Sequence, residues 1–462
     1  MNSSGWVAPA CGTALVLLAL AAAPVRAAEG WLAAVRDDAL ALDPALTGAQ
    51  AQLRAAEERV NQARAGFGPT ASASLENNQT RYTERDALRM FHGTVSQLQI
   101  TQPLLRTELL PALNSAQAQL EQSRATLGHL RAESTVHLLE ALFDTLKARD
   151  TTTLVQAQRL AAEEQLALAR RSFQVGNVSV IDVREAEAKI DTVDAQALAA
   201  SADLQLRQQL VAELVGRPLP ELLERTVEGD RLPELAPASL FEWLADASNR
   251  NPQLQAAQRA LDAAEAELDK AWQGHAPTLN LTYNYTSNAD NGTVTSVFAR
   301  HGESSTIGVS LNVPLFASGA TQSKVREAMA LRDKAQSDVA AARRSVQLGV
   351  RQSFSAALSS AGLAHGLETA TRSLEVALQA NRRGYEVGMK IGAEVLEAQT
   401  KVFESRRDML RARYDAWLNY LKLATFASKL GDAGIAELDR LLVATPPAQP
   451  LPRARGANAS TP

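Results

Sequence analysis

Two hydrophobic periods alternate along this 462-residue chain, and each occurs twice. Over 318–382 there is no proline, and apolar residues recur at Val339, Ala342, Val346, Val350, Phe354, Ala357, Ala361, Ala364, Leu367, Ala370, Leu374 and Leu378. Their mean spacing, near 3.5, predicts a coiled-coil helix. An equivalent segment spans about 108–171. At 1.5 Å per residue, a helix of about 65 residues runs roughly 95 Å. No compact domain holds helices of that length, so they must lie side by side. After each comes a glycine turn and a second, cleaner heptad. The first is Val183, Ala186, Ile190, Val193, Ala197, Ala200, Leu204, Val211 and Leu214, broken once at Arg207. Its partner is Val395, Ala398, Val402, Met409, Ala412 and Ala416. So many alanines at the seam predict closely spaced helices.

The other period is two. Leu279, Leu281, Tyr283 and Tyr285 alternate with Asn280, Thr282, Asn284 and Thr286. After a loop rich in Asn, Gly and Asp, the alternation resumes at Ile307, Val309, Leu311 and Val313 until Pro314. A weaker counterpart reads Ala71, Ala73 and Leu75, then Val95, Leu98 and Ile100, closed by Pro103. Alternation over about ten residues fits a transmembrane β-strand, and a half-buried soluble hairpin fits it as well. No stretch after the N-terminus has the length of a membrane-spanning helix, so a membrane-embedded form must use strands. Each chain then offers four, too few to close a barrel, and lipid tolerates no open sheet edge. Strands in a bilayer therefore require an oligomer.

The duplication is legible residue by residue. "DPALTGAQAQLRAAEERVNQARAGFGPTASA" at 43–73 matches "NPQLQAAQRALDAAEAELDKAWQGHAPTLNL" at 251–281, sharing Pro44/Pro252, Leu46/Leu254, Gly66/Gly274 and Pro69/Pro277. "SFQVGNVSVIDVREA" at 172–186 matches "GYEVGMKIGAEVLEA" at 384–398, pairing Phe173 with Tyr385, Gly176 with Gly388, Asp182 with Glu394 and Glu185 with Glu397. The expected organisation is a signal peptide (1–27) and a first repeat (28–216) with a hairpin at about 70–103 and a turn at Gly176. A connector rich in Pro and acids (217–243) leads to a second repeat (244–431), with a hairpin at about 278–314 and a turn at Gly388. A C-terminal segment and disordered tail (432–462) follow.

Composition sharpens this reading. Aromatics are only 5% of residues, as in long-helix proteins. The net charge of −4 gives no reason to expect a nucleic-acid partner. An apolar run at 13–23, followed by Pro24 and a Val25-Arg26-Ala27 cleavage pattern, reads as a secretory signal, although no Lys or Arg precedes it. The single cysteine, Cys11, lies within that signal. A mature chain without thiols suits an oxidising compartment. No phosphate-cradling loop, dinucleotide fingerprint or nucleophile elbow is present. The six histidines are dispersed, none paired at ligand spacing. Neither an enzyme nor a cofactor or metal is expected.

The order of hairpin, long helix, F-x-V-G-type turn and heptad helix, written twice behind a signal, resembles the TolC family of outer-membrane factors. The resemblance covers about 31–442, and "GYEVGMKIGAEVLEA" is its most specific part. Within the family the chain is most similar to type I secretion ducts, that serving the adenylate cyclase-haemolysin toxin among them. The resemblance implies a mainly α fold with a small β part. A homotrimer would carry a twelve-strand outer-membrane barrel above a periplasmic α-barrel of coiled-coil helices. It would pass toxin or small molecules received from an inner-membrane ABC or proton-driven pump through a periplasmic adaptor.

By position, Glu394 and Glu397 match the family's acidic ring at the periplasmic aperture. They stand three apart on one helix face, and three copies would make a cation-selective gate. Tyr385 and Lys390 match closed-state tethers, and Asp182 matches their acidic partner. Gly176 and Gly388 match the helix-turn tips where the adaptor docks. The family usually has Arg at Lys390 and Asp at Glu394 and Glu397. Lysine forms no bidentate fork, so the tether here is expected to be weaker. These charges also fit a plain solvated coiled-coil face. The competing function is a pore-less periplasmic coiled-coil adaptor or scaffold. Such a protein should carry a single hairpin, an inner-membrane anchor and a lipoyl-like domain, none of which the sequence offers.

Overall fold

The computed structural model describes residues 30–444 apart from 85–86, 177, 228–231 and 294–297. The expected signal and the tail beyond 444 lie outside these. The first repeat contains α1 (Trp31–Leu42), α2 (Pro44–Ala65), β1 (Thr70–Glu84), β2 (Ala87–Leu105), α3 (Leu109–Gln174) and α4 (Val180–Val215). A 3₁₀ turn (Pro220–Glu224) and β3 (Arg225–Val227) follow. The second repeat contains α5 (Leu240–Arg250), α6 (Pro252–Gln273), β4 (Thr278–Asp290), β5 (Arg300–Asn312), α7 (Ala320–Glu386) and α8 (Gly392–Phe426). The described chain closes with α9 (Asp432–Leu441) and β6 (Leu442–Ala444).

The repeated Asp-Pro and Asn-Pro dipeptides are helix starts. Asp43 caps α2 by accepting from the Ala45 amide at 2.8 Å, and Pro44 occupies the first turn, where its missing N–H costs nothing. Asn251 does the same for α6, accepting from Gln253 and Leu254 at 3.0 and 3.2 Å. It also donates to the Phe426 carbonyl of α8 at 3.0 Å. Asn251 is buried, whereas Asp43 is half-exposed. Replacing Asp43 by Ala should therefore cost about 1 kcal/mol and Asn251 by Ala about 2 kcal/mol, because only the second strands buried polar groups. Thermal unfolding of the two variants measures the difference. A hydrogen bond from Ser134 and the cap amides hold the Asp43 carboxyl below its usual range. Its contribution is thus present at neutral pH and fades only as pH falls through that lowered value.

α3 and α7, 66 and 67 residues, each extend about 100 Å. α2 and α6 lie against their upper halves, and α4 and α8 against their lower halves, giving a slab that runs α2/α4, α3, α6/α8, α7. Apolar bulk is concentrated midway. One core joins Leu32 and Val35 of α1, Leu142, Phe143 and Leu146 of α3, Val211 and Val215 of α4, Tyr414 and Trp417 of α8, and Ile435 and Leu438 of α9. A second sets Trp243 of α5 against Val346, Val350 and Leu423.

Away from this belt the seams use small residues, buried at Ala162, Ala169, Ala186, Ala357 and Ala364. Two seam expectations are corrected. Beyond Arg207 the buried positions are Val211 and Val215, while Leu214 is exposed. Arg207 stands beside the seam, paired with Asp144 of α3 at 3.2 Å. On α7 the buried residue is Thr371, not Ala370, because its hydroxyl finds Ser405 of α8 at 2.8 Å.

The four long strands form one antiparallel sheet in the order β1-β2-β4-β5, so the two hairpins are neighbours. Its register places Ala71, Ile100, Tyr283 and Ile307 in one row, and Ala73, Leu98 and Tyr285 in the next. That face is apolar and exposed, with Leu75, Ile307, Val309 and Leu311 all uncovered. The opposite face carries Ser72, Gln99, Asn284 and Thr306 in a single row. Val95 is corrected to this polar face: it pairs with Glu76 and Asn288, and it stands an odd three positions from Leu98. Pro103 does not end β2. The strand continues to Leu105 with a shifted register beyond Pro103, which has no N–H to give the ladder. β1 and β5 remain as free edges within the chain.

The connector and the C-terminal segment meet, which the sequence pattern did not foretell. β3 pairs with β6, and the Arg225 guanidinium lies over the Trp31 ring at 4.2 Å while reaching the Leu442 carbonyl at 2.8 Å.

Candidate functional site at the hairpin ends

Both coiled-coil hairpins reverse on a glycine in the left-handed region, Gly176 at φ +78° and Gly388 at φ +75°. A Cβ at either would meet nothing, so the backbone conformation is what calls for glycine. Gly176 donates to the Phe173 carbonyl and Gly388 to that of Tyr385, at 3.0 and 3.1 Å. Met389 and Lys390 then both donate to Gly384. Around these turns Val175, Ile181, Val387, Met389 and Ile391 are exposed.

The helices that leave the two turns start differently. α4 has a capping box, in which Ser179 accepts from Ile181 while Asp182 accepts from the Ser179 amide at 3.0 Å. α8 begins at Gly392 without a side-chain cap, but Glu394 in its first turn suits the positive helix end.

Gly392 is the junction of the two hairpins. It is buried, and a Cβ there would lie 3.7 Å from Tyr385 Cε2, 3.8 Å from Asp182 Oδ1 and 3.9 Å from Gln165 Nε2. Asp182 of the first hairpin and Tyr385 of the second therefore flank the same glycine of α8. A cleft of about 840 Å³ opens here, with Gln165, Asp182, Tyr385, Lys390 and Gln399 in its wall.

Lys390 does not join Asp182 in this arrangement. Its stem crosses Gly384, where a Cβ would lie only 2.8 Å from Lys390 Cγ, and its ammonium pairs with Glu394. Glu397 takes a different partner, Lys401, at 2.7 Å. Lys401 holds the Glu397 carboxyl below the usual carboxylate range, and Glu397 in turn raises Lys401. Gln165, Gly392 and the Glu397–Lys401 pair were missed in the sequence. Only the last carried a signal there, a Glu-Lys pair four apart on a helix.

The duplicated architecture matches a known family model, that of the outer membrane efflux protein, over residues 35–217 and 243–427. The chain belongs to the outer membrane efflux protein family. Among its relatives, outer membrane protein TolC of Vibrio cholerae is 27% identical over 88% of this chain and 93% of its own. The alkaline protease secretion protein AprF of Pseudomonas aeruginosa is 28% identical over 75% of this chain and 72% of its own. The crystal structure of CusC superposes with a TM-score of 0.76 at 17% identity, covering 86% of this chain and 91% of that one. The efflux-family fold is thus TolC-like, three chains supplying a twelve-strand barrel and a periplasmic α-barrel. A member of this family is an outer-membrane export channel with a large periplasmic part. An apolar face for lipid and a polar face for a lumen are what such a barrel requires. This disposes of the pore-less adaptor.

Proposed function

We propose that this protein is the exit duct of a tripartite export machine, and that its gate lies at the hairpin ends. The packing of Asp182 and Tyr385 around Gly392 carries the reading, because it brings the two hairpins of a chain together at their ends. Three copies bring six hairpin ends around one hole, with Glu394 and Glu397 ringing it. Tyr385, Lys390 and Asp182 restrain the hairpins, Lys390 by folding back over Gly384 onto Glu394. The exposed apolar residues beside Gly176 and Gly388 fit docking of a periplasmic adaptor, which hands over cargo from an inner-membrane ABC transporter or proton-driven pump. AprF, named for alkaline protease secretion, supports a protein cargo and hence type I secretion.

The free edges β1 and β5 fit closure by identical neighbours. Purified protein should accordingly run as a heat-dissociable trimer and give ion-conducting pores in planar bilayers. A soluble monomer without conductance would overturn the reading.

A further inference from the structure

The segment 390–401 reads Lys390, Glu394, Glu397, Lys401, two acids and two lysines with no other charge between them. The acids are therefore not bare. Glu397 and Lys401 are the clearer pair: both lie on α8, both are more than half exposed, and Oε1 and Nζ are 2.7 Å apart. Glutamate precedes lysine by four residues, the favoured order on a helix. Glu404, one turn further, also acts on Lys401, but the hydrogen bond goes to Glu397. The shifts of the pair keep both groups ionised at neutral pH.

An exposed pair of this kind does little for stability. Its consequence is electrostatic. A screening length of about 8 Å at physiological salt exceeds the separation of the two charges, so an ion passing close by feels both. A ring of three Glu397 carboxylates accompanied by three Lys401 ammonium groups presents nearly cancelling fields.

We propose that Lys401 is a specificity-determining residue of the channel, offsetting Glu397 so that selectivity reflects their balance rather than the acids alone. The proposal rests on Glu394 and Glu397 lining the aperture, and its test separates the two ideas. Reversal potentials are measured across planar bilayers in a potassium chloride gradient. Lys401→Gln should raise the cation-to-anion permeability ratio about threefold, and Glu397→Gln should lower it by a similar factor. The double variant should return to the wild-type ratio, and Lys401→Arg should leave that ratio unchanged. Because both side chains are exposed, the variants should assemble, which trimer mobility verifies. If Lys401→Gln leaves the ratio unchanged while Glu397→Gln lowers it, the offset is wrong and the aperture reading stands. If neither substitution moves the ratio in conducting pores, the aperture reading falls and the offset with it.

Discussion

Gly392→Leu should raise single-channel conductance several-fold, whereas Gly392→Ala should leave it unchanged. A Cβ at this position has ordinary contacts of 3.7–3.9 Å to Tyr385, Asp182 and Gln165, so alanine fits without displacing anything. Alanine also favours the first turn of α8 over glycine. A leucine must extend beyond that Cβ into the same three side chains. Overpacking of this kind costs about 1–3 kcal/mol per site. Threefold repetition brings the total to several kcal/mol, comparable to the roughly 5.5 kcal/mol that moves a two-state equilibrium from 1:99 to 99:1. Separating the first hairpin from the second should relieve the strain and, with the gate proposed at the hairpin ends, widen the hole.

Removing Lys390 should matter less. Its partner in this arrangement is Glu394 on its own hairpin, an exposed i,i+4 pair of the kind worth about 0.3–0.5 kcal/mol. The Tyr385→Ala variant, which deletes the ring against Gly392, should therefore open the pore more than Lys390→Ser. Conductance histograms of the four variants in planar bilayers decide the order. Equal conductance of Gly392→Leu and wild type would remove this junction from the gate.

The long helices and the strands were legible because each has one strong period sustained over many residues. Thr70–Glu84 and Thr278–Asp290 begin where the Pro-Thr signals place them. The failures are local, and their causes differ. Val95 has the hydrophobicity of the apolar face but the parity of the polar one. Thr371 takes the buried place beside the exposed Ala370 because a partner such as Ser405 removes the cost of burying its hydroxyl, which the sequence pattern does not display.

The β3–β6 pair was invisible for another reason. Three-residue strands carry no period, and 217 positions separate Arg225 from Leu442. At the site, the glycine turns and acids were readable from the duplication. Gly392 was not, since its meaning depends on a side chain from the other hairpin. Nor does the sequence say that Lys390 turns back to Glu394. A lysine that follows a left-handed turn can reach in either direction, and only the absence of a Cβ at Gly384 shows which one has room.

Asp150→Ala should strongly destabilise the middle belt, lowering stability by about 3–5 kcal/mol. Arg149 and Asp150 are largely buried, at 15% and 14% side-chain exposure, and their side chains pair with each other at 2.5–2.8 Å. Arg149 also donates to the Leu223 carbonyl at 3.0 Å and to that of Arg225, so it fastens the 3₁₀ turn and β3 to α3. The other Asp150 oxygen accepts from the buried Tyr414 hydroxyl of α8 at 2.7 Å. Burial, then the Asp150 charge, pushes the Tyr414 hydroxyl well above its usual range, so it remains a donor throughout.

Alanine at 150 would take the paired carboxylate from the Arg149 guanidinium and leave the Tyr414 phenol only the Thr226 hydroxyl as a side-chain partner. Tyr414→Phe removes a donor from a carboxylate that keeps Arg149, and should cost only about 1 kcal/mol. Asp150→Asn keeps an acceptor for Tyr414 but not the charge, and should fall between the two. Because β3 pairs with β6, loss of the clasp frees the C-terminal segment as well as the connector. Limited proteolysis should therefore cut Asp150→Ala near 220–230 and near 442 under conditions that leave Tyr414→Phe intact. Thermal unfolding in detergent supplies the ranking, and an Asp150→Ala variant as stable as Tyr414→Phe would show that the network does not hold the belt.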